Sequence, residues 1–193
     1  MQTITKVTNV YKFDELSEDA KETARDWARG IDDLYGWHDD NVQSLKEFAK
    51  WVQGKADYSI SLVGYSSAKV RISGYHDSIW NSETEEEEDI LLEEISGDVL
   101  LHWLNDNIET IKSEGGCPFT GYCMDEDLLD PMQEYLAKSD PDDPRTLQDL
   151  VNDGCERWVK QYVADWESTY EDEQIDDFLS ANDYDFLEDG SKY

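Results

Sequence analysis

The excess of carboxylates over basic side chains limits the folds that this chain can adopt. Its 193 residues carry 47 aspartates and glutamates against 16 lysines and arginines, so the formal net charge is −31 at pH 7. Repulsion at that density destabilises any compact state. The chain nevertheless contains 7 tryptophans, 11 tyrosines and 5 phenylalanines, unlike the aromatic-poor acidic chains that stay disordered. We therefore expect a single domain over residues 1–193 with a core that offsets the repulsion.

The sign of the charge also limits the partners. Nucleic-acid phosphates and anionic lipid headgroups would be repelled, whereas a basic protein surface would be attracted. We therefore expect the partner to be a basic nucleic-acid-binding protein or complex of a host, with no direct binding to nucleic acid or membrane. Adaptation to high salt is the alternative explanation of the charge.

Cysteine usage and hydropathy favour a cytoplasmic location. Cys117, Cys123 and Cys155 are an odd number at irregular positions and do not suggest a disulfide framework. No apolar stretch approaches the length of a signal-peptide core or a membrane span. These features predict a protein of the reducing cytoplasm.

Hydrophobic periodicity predicts an α+β fold in which a small antiparallel sheet packs with several α-helices. Alternation over Thr3–Phe13 predicts a first strand. The segments Tyr58–Val63 and Lys69–Tyr75 flank a glycine-containing turn and predict a hairpin. Tyr184–Leu187 would add an edge strand.

Helical spacing of apolar residues predicts the remaining elements. The predicted helices are one between Ser17 as N-cap and Gly30 as stop, then Asp39–Gly54, a long helix through Ile90–Ile111 after the acidic run Ser82–Asp89 with a break near Gly97, then Asp125–Ala137, Thr146–Trp166 and Asp172–Ala181.

No arrangement of residues in the sequence predicts catalysis. A catalytic nucleophile needs a base beside it. His38, His76 and His102 fall in different predicted elements, and none of them lies in a recognisable nucleophile motif. Cys117 and Cys123 have five residues between them, wider than the usual spacing in zinc sites, and the acidic clusters lack the ligand order of an EF-hand. We therefore predict a protein that is not an enzyme, with no catalytic residue, no metal site and no cofactor.

Runs of carboxylates are the remaining feature that could carry a function. On a helix, carboxylates three or four positions apart lie about 5–6 Å from one another, close to the spacing of successive phosphates along a nucleic-acid strand. Acidic helices can therefore imitate DNA, although a solvated acidic face without a partner is the competing interpretation. The predicted partner-binding residues are Glu83, Glu85, Glu86, Glu87, Glu88, Asp89, Glu93, Glu94, Asp140, Asp142, Asp143, Asp172, Glu173, Asp176 and Asp177.

Three strings of the sequence resemble a family of bacteriophage-encoded proteins. They are Phe-Asp-Glu-Leu-Ser-x-x-Ala-Lys at Phe13–Lys21, Thr-Gly-Tyr-Cys at Thr120–Cys123 and Phe-x-x-Asp-Gly at Phe186–Gly190. The hairpin turn Val63–Ser66 departs from that family, which has a tryptophan and a Gln-Gly-Asp-Gly string there. The resemblance implies a phage origin and no particular reaction. By analogy with other small acidic phage proteins, it implies a protein that occupies the nucleic-acid groove of host machinery.

Three hypotheses about function follow. The first is an inhibitor of a restriction or CRISPR type defence system that binds a basic nucleic-acid-binding surface as a DNA mimic. The second is a module that grips a host polymerase, nuclease or regulator through apolar and aromatic contacts. The third is a metal-dependent enzyme that acts through carboxylates and the loop Gly116–Asp127. Binding by a mimic would weaken sharply between about 50 and 200 mM salt, whereas an apolar interface would weaken little.

Overall fold

The computed structural model describes residues 2, 7–52, 54–61, 67–81, 86–115, 117–121, 124–138, 140 and 142–193. This part of the chain contains both helices and strands, and helices dominate it. The elements are α1 (Glu18–Arg29), α2 (His38–Trp51), β1 (Gly54–Ser61), β2 (Ser67–Asn81), β3 (Glu86–Leu91), α3 (Gly97–Asp106), α4 (Ile108–Ile111), α5 (Met124–Lys138), α6 (Leu147–Thr169) and α7 (Asp172–Ala181). Among the described helices, none is long and apolar enough to cross a membrane.

The chain divides into two compact units. Residues 1–36 and 165–193 form one, here called the terminal unit, and residues 37–164 form the other, the central unit. Helix α6 begins in the central unit, and its last residues belong to the terminal unit. The single domain expected over 1–193 stays a prediction, since two compact units can belong to one domain.

Helices α1 and α7 build the terminal unit. The hydroxyl of Ser17 accepts a hydrogen bond from the Ala20 amide at 3.3 Å, so α1 begins where the sequence predicts. The small residues Ala20, Ala24 and Ala28 recur every four positions and are buried. They lie in a core with the apolar side chains Phe13, Leu16, Leu34, Ile175, Leu179 and Phe186.

The predicted first strand is wrong over residues 7–13, and residues 3–6 lie outside the described part. Tyr11 forms one isolated antiparallel bridge with Phe186, in which each amide donates to the other carbonyl at 2.9 Å. A short 3-10 helix follows at Phe13–Glu15. The alternating pattern fails to make a strand because the pairing partner of Tyr11 is the tail of the chain and not the hairpin. For the same reason the expected edge strand Tyr184–Leu187 is reduced to bridges at Phe186.

The three strands belong to the central unit, and β2 pairs antiparallel with both others. The β1–β2 register places Tyr58 opposite Val70, and the β2–β3 register shifts between His76 and Ile79. The turn of the expected hairpin, residues 62–66, lies outside the described residues. Ile72 of β2 is fully buried among the helices of this unit.

The long helix expected after the acidic run is wrong in its first part. Residues 82–85 are not described, Glu86–Leu91 is strand β3, and a 3-10 helix follows at Leu92–Glu94. Residues of Glu86–Leu91 pair with β2, so a distant strand and not the local pattern decides the structure of this run. Gly97 has a φ of 54°, so a continuous helix could not pass through it and α3 starts there instead.

The remaining predicted helices are confirmed as α1, α2, α5, α6 and α7, with ends that differ by a few residues. The core of the central unit is rich in leucine and aromatic side chains, with Leu45, Phe48, Leu104, Leu128 and Trp158 fully buried. In this core α5 and α6 approach closely at Gly154. A Cβ on Gly154 would lie only 2.5 Å from the Leu128 carbonyl oxygen.

Candidate functional site

Two arginines of α1 hold the terminal unit together across a large sequence separation. The Nε and Nη2 atoms of Arg25 each donate to a different carboxylate oxygen of Asp176 on α7, both at 2.7 Å. Arg29 pairs with Asp172 on the same helix. Such two-point guanidinium–carboxylate contacts fix both position and orientation. The row of ion pairs between α1 and α7 is here called the arginine seam.

Carboxylates of α1 complete the arginine seam. Glu22 accepts from Arg25 at 3.1 Å and from Arg29 at 3.0 Å, and Asp26 accepts from Arg29 at 2.6 Å. The hydrogen bonds from Arg29 and Arg25 lower the pKa of Glu22 below its ordinary value. Hydrogen bonding to Asp176 and to Glu22 raises the pKa values of Arg25 and Arg29, respectively. Two positive charges thus face four negative ones, and the seam stays acidic.

The other described cations of the terminal unit also have partners inside that unit. Lys12 lies 2.6 Å from a carboxylate oxygen of Asp183 and 2.7 Å from one of Asp185. Lys21 pairs with Glu18 at 3.2 Å, and Lys192 lies over aromatic rings. Positive charge in this unit is therefore used for internal contacts.

Carboxylates that pair with no cation remain at the surface of the same unit. Within the described residues, Asp19 on α1 and Glu173 and Asp177 on α7 are exposed and form no ion pair. Residues 1–36 and 165–193 hold 19 carboxylates and 6 basic side chains. The terminal unit is therefore strongly negative, and its exposed unpaired carboxylates Asp19, Glu173 and Asp177, carried by the two helices that the arginine seam joins, are here called the acidic face.

The structure divides the predicted partner-binding residues of α7 into two pairs. Asp172 and Asp176 belong to the arginine seam and are engaged, whereas Glu173 and Asp177 are exposed. All four residues lie on one helix, as predicted. Sequence reasoning missed their counterparts on α1. The signal was available, because Glu18, Glu22 and Asp26 follow one another at four-residue spacing.

The predicted run from Glu83 to Glu94 does not form an acidic helix. Glu83 and Glu85 lie outside the described residues, while Glu86, Glu87, Glu88 and Asp89 belong to β3. Glu93 and Glu94 are exposed on the following 3-10 helix, where Glu94 accepts a hydrogen bond from the Leu91 amide at 3.1 Å. A phosphate-like helical array is therefore absent from Glu86–Glu94.

The third predicted group, Asp140, Asp142 and Asp143, makes contacts that stabilise the loop before α6. Asp140 accepts from the Asp142 amide at 3.0 Å, which closes a turn. Asp143 binds the guanidinium of Arg145 at 2.7 Å, and that guanidinium lies 5.2 Å from the ring centre of Tyr135. The hydrogen bonds from Arg145 lower the pKa of Asp143 to about 2. Asp143 is thus an internal partner and not a free contact residue.

The loop that leads to α5 is fixed by a buried carboxylate. Asp125 is fully buried, and it accepts from the Phe119 amide at 2.8 Å, the Thr120 amide at 3.0 Å and the Thr120 hydroxyl at 3.3 Å. The Ser44 hydroxyl lies 2.8 Å from the Thr120 hydroxyl. Thr120 and Gly121 are the described members of the Thr-Gly-Tyr-Cys string. These contacts give Asp125 a structural role at the start of α5.

Across the described residues, no group of three or more histidine, cysteine and acidic side chains is arranged to hold a metal ion. Cys155 is buried, and its burial raises the pKa of the thiol to about 12. A thiol in that state is a poor nucleophile.

Comparison of the chain with protein-family models, with curated proteins and with solved structures finds no match.

Proposed function

We propose that this protein binds a basic nucleic-acid-binding surface of a bacterial defence enzyme of the restriction or CRISPR type, and that the acidic face of the terminal unit makes the contact. In this proposal the protein is encoded by a phage, works in the host cytoplasm and is a binding protein with no reaction of its own. The inhibition arises because the acidic face competes with nucleic acid for the same cleft.

The engagement of positive charge inside the terminal unit is the observation that carries this proposal. Arg25 and Arg29 form the ion pairs of the arginine seam, and Lys12 and Lys21 pair with neighbouring carboxylates. A partner therefore meets carboxylates with few interspersed cations. Such one-signed fields raise association rates with a surface of opposite charge.

Helical presentation adds to the argument. Asp172 and Asp176, like Glu173 and Asp177, are four positions apart on α7, and Glu18, Glu22 and Asp26 repeat that spacing on α1. Residues four apart on a helix lie about 5–6 Å from each other, which suits contacts with a phosphate-binding groove. The acidic residues Glu86–Asp89 add charge to the molecule without this helical spacing.

We infer that β1, β2 and β3 make the small antiparallel sheet on which helices of the central unit pack. The burial of Ile72 and the packing of Val70 against the same core support this inference. The sheet would then brace the central unit and leave binding to the terminal unit.

A capture experiment with matched variants tests the proposed function. The first variant carries Asp19→Asn, Glu173→Gln and Asp177→Asn on the acidic face, and the control carries Glu86→Gln, Glu87→Gln and Glu88→Gln on β3. Both variants lose three negative charges. Wild type and control should retain a nucleic-acid-binding defence enzyme from a bacterial lysate at about 50 mM salt and release it near 200 mM or on addition of duplex DNA. The acidic-face variant should bind about tenfold more weakly.

Two results would contradict the proposal. Equal loss of binding in both triple variants would mean that net charge matters and the acidic face does not. Retention of the same partner by all three proteins at high salt would instead favour the module that binds through apolar and aromatic contacts. Phage plating on a strain with and without the captured defence enzyme gives the functional readout.

A further inference from the structure

One cation of the terminal unit, Lys192, lies against aromatic rings and pairs with no side-chain carboxylate. The ammonium nitrogen of Lys192 lies 5.6 Å from the ring centre of Trp27 and 5.5 Å from that of Tyr184. The two rings meet edge to face, with centres 5.1 Å apart and planes at 77°. Lys192 therefore occupies a corner between two ring faces, here called the aromatic corner.

Lys192 is unusual among the cations around it. Within the described part of the terminal unit, the other lysines and arginines all pair with side-chain carboxylates, whereas the Lys192 ammonium pairs with no side-chain carboxylate and donates to a main-chain oxygen of Tyr193 at 3.2 Å. An ammonium within 6 Å of two ring centres is the arrangement that cation–π attraction favours, and it occurs here in a unit with 19 side-chain carboxylates.

The walls of the aromatic corner are fixed by the core behind them. Trp27 lies on α1 and packs at 6.0 Å on the ring of Phe186, which is fully buried. Tyr184 packs at 5.9 Å on the ring of Phe178 from α7. Both walls are half-buried. A site with preorganised walls loses little entropy when a ligand binds.

The occupant, by contrast, is delivered by a short exposed segment. The Tyr193 amide donates to the Asp185 carbonyl at 2.9 Å and the Leu187 amide to the Ser191 carbonyl at 2.8 Å, which folds the chain back on itself. The Lys192 side chain is exposed. It can therefore leave the corner by rotation of its own side chain, without any change in the walls.

We propose that the aromatic corner is a binding site for an alkylammonium group, the lysine side chain of a basic partner, and that Lys192 is an internal occupant which this ligand displaces. The identity of the ligand rests on the proposed function, whereas the existence of the site does not. The ring faces attract the cation through their quadrupoles, and the surrounding carboxylates raise its local concentration.

Titration with tetramethylammonium chloride tests the site without any partner. The readout is the indole N–H signal of Trp27 in proton–nitrogen NMR spectra, at constant ionic strength maintained with sodium chloride. Removal of the competitor by Lys192→Met should make the signal saturate at about threefold lower concentration than in the wild type. Lys21→Met is the matched control, because Lys21 lies 5.6 Å from the single ring of Phe13, and it should leave the response unchanged.

Further arms establish that the ring faces and the charge are responsible. Tyr184→Leu in the Lys192→Met background should abolish saturation, provided that its circular dichroism is unchanged. tert-Butanol, a neutral molecule of similar size, should shift the signal only weakly and linearly. If wild type and Lys192→Met respond equally to tetramethylammonium, or if tert-butanol acts as strongly, the contact of Lys192 is structural only. Loss of binding by the acidic-face variant with an unchanged titration would affect the proposed function alone.

Discussion

The terminal unit and the central unit achieve compactness in different ways. The central unit surrounds a large apolar core with helices. Its described arginine ion pairs are either local to one loop, as Arg145 with Asp143, or more exposed, as Arg157 with Asp130 and Glu134. The terminal unit has a smaller core built around alanines and joins sequence-distant segments through the arginine seam. The unit that carries more charge per residue is therefore the one in which ion pairs join segments from the two ends of the sequence.

This difference teaches how an acidic chain can stay folded. Self-repulsion acts in both units, yet in the terminal unit two of the few cations, Arg25 and Arg29, lie where α1 meets α7. Arg25 is partly shielded there, and both guanidinium groups contact more than one carboxylate, so we expect the Arg25 pair to stabilise the fold more than an open surface pair does. The same placement leaves the outer carboxylates uncompensated, which is what the proposed partner would recognise.

The largest expected effect is at Gly190, whose exchange should break the terminal unit alone. A Cβ at this position would lie 1.9 Å from the Ala20 carbonyl oxygen, and its φ of 82° is unfavourable for other residues. Gly190→Ala should cost about 3 kcal/mol or more. Hydrogen exchange should accelerate in peptides from α1 and α7 and stay unchanged in α3. Gly154→Ala in the central unit should give the opposite pattern, and equal acceleration everywhere would remove the distinction between the units.

Asp125→Asn should show that the central unit also depends on one buried carboxylate. The Phe119 and Thr120 amides share one carboxylate oxygen, and the Thr120 hydroxyl donates to the other. An amide has a single acceptor oxygen and no charge, so the hydroxyl loses its acceptor and the two amide hydrogen bonds become weaker. We expect a loss of about 2 kcal/mol in the free energy of unfolding, measured by urea denaturation. Glu126→Gln, at an exposed position beside it, is the control. An unchanged stability together with a lost activity would favour the metal-dependent enzyme instead.

Replacing one arginine in each unit should compare the strength of their ion pairs, with a smaller effect on stability than the glycine and aspartate exchanges. Arg25→Met removes the shielded two-point contact with Asp176 and should cost about 1–2 kcal/mol. Arg157→Met removes a more exposed pair in the central unit and should cost less than about 1 kcal/mol. Thermal unfolding followed by circular dichroism measures both. Equal costs would mean that the arginine seam is an ordinary set of surface pairs.

The smallest expected effect is a pH dependence in the central unit. Arg145 lowers the pKa of Asp143 to about 2, below its unfolded value near 3.8, so the pair stabilises the fold above about pH 4 and this contribution is lost as the pH falls toward 2. The urea midpoint of Asp143→Asn should therefore lie below that of the wild type at pH 7, and the gap should close near pH 2. A gap that is independent of pH would assign the difference to packing.

Helices were predictable where the spacing of apolar residues and the residues that begin and end the helix indicate the same element. For α1, the Ser17 cap, the alanine spacing and Gly30 all indicate the same helix, and α7 follows from Ile175 and Leu179 at helical spacing. In contrast, the apolar spacing that begins at Ile90 resembles that of a helix, although Ile90 and Leu91 belong to β3 and pair with β2. The distant pairing of β3 decides its structure, and no local pattern carries that information.

The candidate site was predictable in its chemistry and not in its geometry. The acidity of α7 is plain in the sequence, but the contact of Arg25 with Asp176 joins residues 151 positions apart. Sequence reasoning could therefore not separate Glu173 and Asp177, which are exposed, from Asp172 and Asp176, which are engaged. Likewise the ring contacts of Lys192 depend on a fold-back that a single pattern does not reveal.

The bridge between Tyr11 and Phe186 has a consequence for the order of events during synthesis. Residues 37–164 can gather their own core as soon as they leave the ribosome, whereas α1 must wait for α7 and for Gly190. At about 5–20 residues per second, that delay is roughly 8–30 s. Over this interval Phe13 and Trp27 lack their later neighbours. The acidic face is therefore assembled after the core of residues 37–164, and only on chains that the ribosome has carried past Gly190.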